Sequence, residues 1–177
     1  MKHKGFSRAA SVAAGFALVA ATGTAAVAAT INRFSSELRD YNTAASGPFD
    51  DASARLQLVE SRAGTTAVLH VRGVDTAVAG RTFGAHLHDG PCVADGPALS
   101  LGHYNKDAHA GSSQPTISSD TEIWLDVTID SSGAGDAASA VRFPVSGAAR
   151  SIVFHERPTD AHTGLAGPRL ACLPVVW

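Results

Sequence analysis

Short runs of alternating or β-branched residues, each closed by a turn signal, leave this chain little choice of fold class. Arg55-Leu56-Gln57-Leu58-Val59-Glu60 and Thr66-Ala67-Val68-Leu69-His70-Val71-Arg72 read as strands around the turn Arg62-Ala63-Gly64. Successive side chains of a strand face opposite ways, so such alternation buries one face and wets the other. Thr82 to His88 is the next strand, after Gly80, and Glu122 to Ile129 follows with strong β propensity, ended by Asp130-Ser131-Ser132-Gly133. Ala138 to Val145 is expected to pair with Glu122–Ile129 as a hairpin; Ser151 to His155 and Arg169 to Val176 complete the set. Beyond the N-terminus nothing supports a helix longer than a turn, and there is no internal repeat. Seven or eight short strands predict an all-β sandwich or barrel. Between them, Asp89 to Asp120 is a long turn-rich segment of the kind that is usually functional when ordered.

The two ends of the chain read differently. Lys2, Lys4 and Arg8 precede the apolar run Ala9–Ala21, and Ala26-Val27-Ala28 offers small residues for cleavage. That is the pattern of a secretory signal peptide, and the run is too short for a comfortable membrane anchor. Residues 1–28 are therefore expected to be removed, leaving an exported, soluble protein. Losing those three cations takes the formal charge from -2 to about -5. This gives no reason to expect nucleic acid or an anionic membrane as partner. Residues 29–51 are polar and mixed, and are expected to form a flexible tether with a short edge strand near Tyr41. Residues 52–177 then carry the one domain. The two cysteines, Cys92 and Cys172, most simply form one disulfide in an exported protein. A copper–thiolate role is the competing reading, disfavoured by oxidising surroundings.

The chemistry lies with the histidines. His70 alternates with Leu69 and Val71 and has no motif around it, so it reads as an ordinary strand residue. His86 and His88 stand two apart, which on a strand places them side by side on one face. Two imidazoles fixed on a rigid strand make half of a metal site; His103 and His155 could complete it, since imidazole suits copper, zinc, iron and nickel. The spacing from Gly80 to His88 also matches the start of a cupin motif. Residues 89–93 lack the glutamate that cupins require next, and the second cupin half is absent.

Five motifs taken together carry a more specific resemblance. Gly84-Ala85-His86-Leu87-His88, Cys92, Gly102-His103-Tyr104-Asn105, Val153-Phe154-His155-Glu156 and Gly164-Leu165-Ala166-Gly167-Pro168-Arg169-Leu170-Ala171-Cys172 stand in the order found in copper/zinc superoxide dismutases. The chain from about Ala52 onward resembles that family, which implies an eight-stranded Greek-key β-barrel. The resemblance implies His86, His88, His103 and His155 as copper ligands. His103 would be the histidine that releases copper on reduction and carries a proton, and Arg169 the arginine that docks superoxide. It also implies a Cys92–Cys172 bridge tying the active-site loop to the last strand.

The chain departs from the family at zinc. After His103 only His109 precedes the next strand, and the family's His-x-x-Asp appears as Ile117-Ser118-Ser119-Asp120. His109 and Asp120, with His162 as a further loop histidine, offer a poor closed zinc site. The departure resembles secreted bacterial and copper-only members, in which a glutamate holds the bridging imidazole. Glu122 is the candidate for that role and Asp120 the alternative. The expected function is a secreted copper-dependent superoxide dismutase with superoxide as substrate; the alternative is a secreted copper storage or delivery protein on the same fold. No residue is diagnostic of the family's dimer interface, so no oligomeric state is expected.

Overall fold

The computed structural model describes residues 28–145 and 147–177. The expected signal segment, up to residue 27, lies outside the described residues. One four-stranded sheet has the order β1–β3–β4–β8, from Thr30–Glu37, Ser53–Ser61, Gly64–Arg72 and Gly135–Val141. The other has the order β2–β10–β9–β6, from Arg39–Asp40, Arg169–Val176, Ala149–His155 and Ala85–His88. A short third pair joins β5 (Thr82–Phe83) to β7 (Val127–Thr128). All pairings are antiparallel. The all-β sandwich expected from the strand pattern is the fold observed.

One hydrophobic core lies between the sheets. Leu56, Leu58, Leu69 and Val71 enter it from the first, and Leu87, Ile152, Phe154, Leu173 and Val175 from the second. Phe49 closes one end, its ring 5.1 Å from Phe83 and 5.0 Å from Phe154. Because the pleat alternates, burying Leu87, Ile152 and Phe154 turns His86, His88, Val153 and His155 to the opposite face of the same sheet. That outer face is covered by the long loop after β6. Cys92 and Cys172 form the expected disulfide, and with Tyr41 and Val153 they make a second small apolar cluster beneath the loop.

Several sequence expectations need correction. Residues 30–37 are not a tether: β1 pairs with β3 along its whole length, from Thr30↔Glu60 to Glu37↔Ser53. Its inward side chains are mostly polar, which hid it. Asn32 is satisfied by Glu60 at 2.8 Å, and Phe34 packs edge-on against Trp177 at 5.3 Å. As an edge strand, it keeps this polarity at little cost. β2 does pair near Tyr41, with β10. Thr82–His88 is broken at Gly84 into β5 and β6. Glu122–Ile129 is extended, but only Val127–Thr128 enters a ladder. Its expected hairpin partner instead runs along β4 as β8.

Gly84 breaks the strand for a steric reason. A Cβ there would lie 2.7 Å from Ala166 Cβ, 2.9 Å from Arg157 O and 3.0 Å from Thr159 Oγ1. The segment 157–166 thus sits directly on Gly84, which also donates its N–H to Arg157 O at 2.8 Å and accepts from His155 N–H at 2.8 Å.

The disulfide spans 80 residues, so its removal should release about 4 kcal/mol of chain-entropy stabilisation. Cys92→Ser with Cys172→Ser is expected to lower the urea midpoint accordingly. An unchanged midpoint would show that the loop is held by its hydrogen bonds alone.

Candidate metal centre

Two strands and one loop bring four imidazoles together. His86 and His88 come from β6 and His155 from β9; His86 pairs with Val153, so His155 is its diagonal neighbour. His103 comes from the loop and is strapped to His88 by an isolated antiparallel bridge. One nitrogen from each of the four lies within 4.8 Å of the others. His86 and His88 are wholly buried, His155 nearly so, and His103 half-buried. Among the described residues this is the one group of three or more such side chains able to hold a metal ion.

The hydrogen-bond partners decide which nitrogen of each ring faces the centre. His88 Nδ1–H donates to Leu101 O at 3.1 Å, and His155 Nδ1–H donates to Gly167 O at 3.0 Å. Both rings have then spent their proton, so the two Nε2 atoms, 3.3 Å apart, face each other as lone pairs. His103 Nδ1–H donates to Glu122 Oε2 at 2.8 Å, leaving its Nε2 as a lone pair too. His86 is reversed: Nε2–H donates to Thr159 Oγ1 at 2.6 Å, while its buried Nδ1 has no partner. Thr159 must accept from His86, because its own hydroxyl donates to Asp126 Oδ1 and its N–H to Asp126 Oδ2. An orphaned buried nitrogen and a pair of opposed lone pairs are costly without a shared partner. A single cation satisfies all four. The donor set therefore fits a metal ion that accepts neutral nitrogen ligands.

Electrostatics agree with neutral rings. Burial pushes the imidazoles of His86, His88 and His155 below the ordinary range, to about 2 for His88 and about 4 for His155. Mutual repulsion with His103 and the charge of Arg169 add to this for His88 and His155, against the pull of the carbonyls they bond. Arg169 reaches the centre through a bulge between β9 and β10, which sets it opposite His155. Its guanidinium donates to Pro97 O and Leu101 O. Leu101 thus serves both Arg169 and His88 with one carbonyl, and does so at φ 59°, a conformation rare for a residue with a Cβ.

Glu122 lies behind His103. Burial would raise its carboxyl, but hydrogen bonds from His103, Asn105 and Trp124 outweigh this and hold it below the usual range. Trp124 Nε1–H donates to Oε2 at 2.8 Å and Asn105 Nδ2–H to Oε1 at 3.0 Å. Asn105 also caps the single turn of helix Lys106–His109 through the N–H groups of Asp107 and Ala108.

The structure does not bring His109 and Asp120 together as zinc ligands. His109 stacks on Tyr104 at 4.3 Å and turns Nε2 to Asp89, which also binds Arg150. Asp120 and His162 are exposed on their loops. Beside Glu122 the space is closed instead by Ile117, Gly164 and Trp124: a Cβ on Gly164 would lie 2.6 Å from Ile117 Cγ2 and 3.8 Å from Glu122 Oε2. Asp120 is likewise not the carboxylate on His103; Glu122 holds that place.

Thr159 and Asp126 escaped the sequence reading, as did Trp124 and Leu101. A signal existed for two of them. Glu122, Trp124 and Asp126 alternate with buried Ile123, Leu125 and Val127, so the first three share the face that meets the centre. No pattern marked Thr159 or Leu101.

Two outcomes follow from this geometry. Thr159→Val should weaken metal affinity by about 10–100-fold in a chelator competition, and Thr159→Ser should restore it; equal affinity in all three would remove Thr159 from the centre. Rings with depressed pKa values stay neutral when folded but protonate when unfolded, so the metal-free chain should lose stability as pH falls below the ordinary 6.5 toward about 4. A urea midpoint that is flat between pH 6.5 and 5, above the main carboxylate range, would contradict this.

No protein-family model matches this chain, and no curated protein matches it. Solved structures do. The clock protein EA4 superposes with a TM-score of 0.55 at 15% identity, covering 88% of this chain and 98% of the other. A double mutant of a SOD-like protein from Bacillus subtilis superposes with a TM-score of 0.54 at 15% identity, covering 81% and 97%. Likeness at this level concerns the fold: an all-β sandwich shared with a SOD-like protein, here carrying a four-histidine centre.

Proposed function

We propose that this protein is a secreted copper-dependent superoxide dismutase that works without a neighbouring zinc. The single observation carrying this reading is the convergence of four imidazole nitrogens beside one guanidinium. A donor set of four nitrogens, with no thiolate or carboxylate, suits copper, which also heads the affinity order of divalent first-row metals. His86 would hold it through Nδ1, and His88, His103 and His155 through Nε2. When bound, copper supplies one-electron cycling: one superoxide is oxidised to oxygen, and a second is reduced, with two protons, to hydrogen peroxide.

The protein's own groups divide the remaining work. Arg169 offers fixed positive charge beside the centre, where it attracts a small anion and raises its encounter rate. His103 is the ligand held by a loop instead of a β ladder, and it is the least buried of the four. Its release would therefore disturb the least structure. A freed Nε2 would be open to a proton from solvent, with Glu122 at Nδ1 placed to stabilise the charge. His86, His88 and His155 stay fixed on β6 and β9, which limits reorganisation between the two half-cycles. The disulfide suits an oxidising, extracellular setting.

The test is reconstitution of the purified protein with copper alone and with copper plus zinc, reading metal content and superoxide consumption together. One copper per chain with full activity and no retained zinc is the expected result. Stoichiometric copper without turnover would favour a storage or delivery protein. Arg169→Ala should lower the rate by at least tenfold and flatten its salt dependence with copper retained. A variant that loses copper instead would make Arg169 a purely structural residue. Glu122→Gln should retain copper less tightly and lower activity; an unchanged spectrum and rate would separate Glu122 from the chemistry.

A further inference from the structure

The face of the molecule opposite the histidine centre carries a feature that the proposed chemistry does not use. On β1, β3 and β4 the core takes Leu56, Leu58, Leu69 and Val71, so Arg33, Arg55 and Arg72 point outward and are exposed. Strand register places them in order. Arg33 lies opposite Gln57; Arg55 lies between Ser35 and His70; Arg72 lies opposite Ser53. Each step goes one strand across and two residues along, a diagonal of about 7–8 Å. Three guanidinium-bearing positions therefore run in a straight line of about 15 Å across three strands.

The line lies in a depression. Arg33, Arg55 and His70 border a groove of about 500 Å³, and Arg55, His70 and Arg72 border an adjoining one of about 320 Å³. No carboxylate lines either groove. Among the described residues none of the three arginines has a carboxylate within 4.0 Å; Arg33 Nε–H donates only to the Gln57 side chain at 3.1 Å. The acids on this face are Glu37 and Asp136, and Asp136 is taken up by His70. The register puts Glu37 one diagonal step from Arg55 and Asp136 one from Arg72. The row is therefore not free of acids, but none pairs with it directly, and three aligned cations run against a chain with 16 acids to 14 Lys and Arg.

We propose that this sheet face binds a carboxylated polysaccharide laid along the Arg33–Arg55–Arg72 diagonal. A guanidinium pairs with a carboxylate through two parallel N–H bonds, which a point charge does not reproduce. Ser35, Ser53 and Gln57 stand between the arginines and supply neutral groups for sugar hydroxyls. Single-stranded nucleic acid is the less suited polyanion, because its binding sites stack bases on aromatic rings. The outward rows of β1, β3, β4 and β8 contain no Phe, Tyr or Trp, and Phe34, which borders the first groove from the inward row, is already packed edge-on against Trp177. Since the histidine centre lies on the outer face of the other sheet, a glycan bound here leaves it open.

Titration of the intact protein with polygalacturonate at low and moderate salt tests the assignment, with a neutral galactan as control. Binding should be confined to the charged polymer and weaken with salt. The triple variant Arg33→Ala, Arg55→Ala, Arg72→Ala should lose at least tenfold in affinity, and each single variant a smaller part. Arg55→Lys should fall between the wild type and Arg55→Ala. The double variant Arg62→Ala, Arg142→Ala, which removes exposed cations off the line, should bind like the wild type. Because the singles sit on the surface, they keep the test valid if the triple fails to fold. No binding of polygalacturonate, equal affinity across the arginine variants, or tighter binding of single-stranded DNA would each overturn the proposal.

Discussion

The histidine centre depends on a proton inventory. A neutral imidazole has one N–H and one lone pair, and the group that takes the N–H determines where the lone pair points. Leu101, Gly167 and Glu122 each take an Nδ1–H, while Thr159 takes the Nε2–H of His86. Four lone pairs are thereby turned onto one point in a buried space. Without those four acceptors the same histidines would be a polar cluster free to swap tautomers, and the selectivity for a cation would be lost. Such outer partners commonly matter almost as much as the ligands themselves.

The rest of the fold keeps those acceptors in place. β6 and β9 hold three rings at adjacent and diagonal positions of one ladder, so their separation follows from strand geometry. The acceptors, by contrast, come mostly from loops, and each loop is tied down separately. The disulfide anchors Cys92 to β10, and Arg39 donates to the Cys92 carbonyl at 2.7 Å. Arg169 clamps Pro97 and Leu101. The absent side chain of Gly84 lets segment 157–166 settle against the sheet, which brings Thr159 to His86. Asp126 then fixes Thr159 from the strand side. Strain at Leu101 is tolerable because its carbonyl is held by two donors at once.

How much of this is legible in the chain depends on whether the physics is local. Strand alternation makes β3, β4, β9 and β10 legible, and the His86–x–His88 spacing is enough to put both rings on one face. Glu122 is placed by resemblance, and its neighbours Trp124 and Asp126 follow from the same two-residue period. β1 is hidden because Asn32 and Ser36 occupy inward positions at a sheet edge, where hydrophobic patterning is weak. The break at Gly84 and the pairing of β8 with β4 are long-range packing outcomes with no local signature. Thr159 and Leu101 act through one side-chain oxygen and one backbone carbonyl, and a backbone carbonyl leaves no trace in sequence. The arginine diagonal is equally hidden, since its members lie 22 and 17 positions apart and align only through register.

Outer hydrogen bonds, on this view, orient four imidazoles toward one copper. A crystal structure of the copper-loaded protein, with the metal located by its anomalous signal, tests that most directly. One copper is expected among His86, His88, His103 and His155, bound by His86 through Nδ1 and by the others through Nε2. Copper located elsewhere, or His86 turned to bind through Nε2 with Thr159 released, would contradict it.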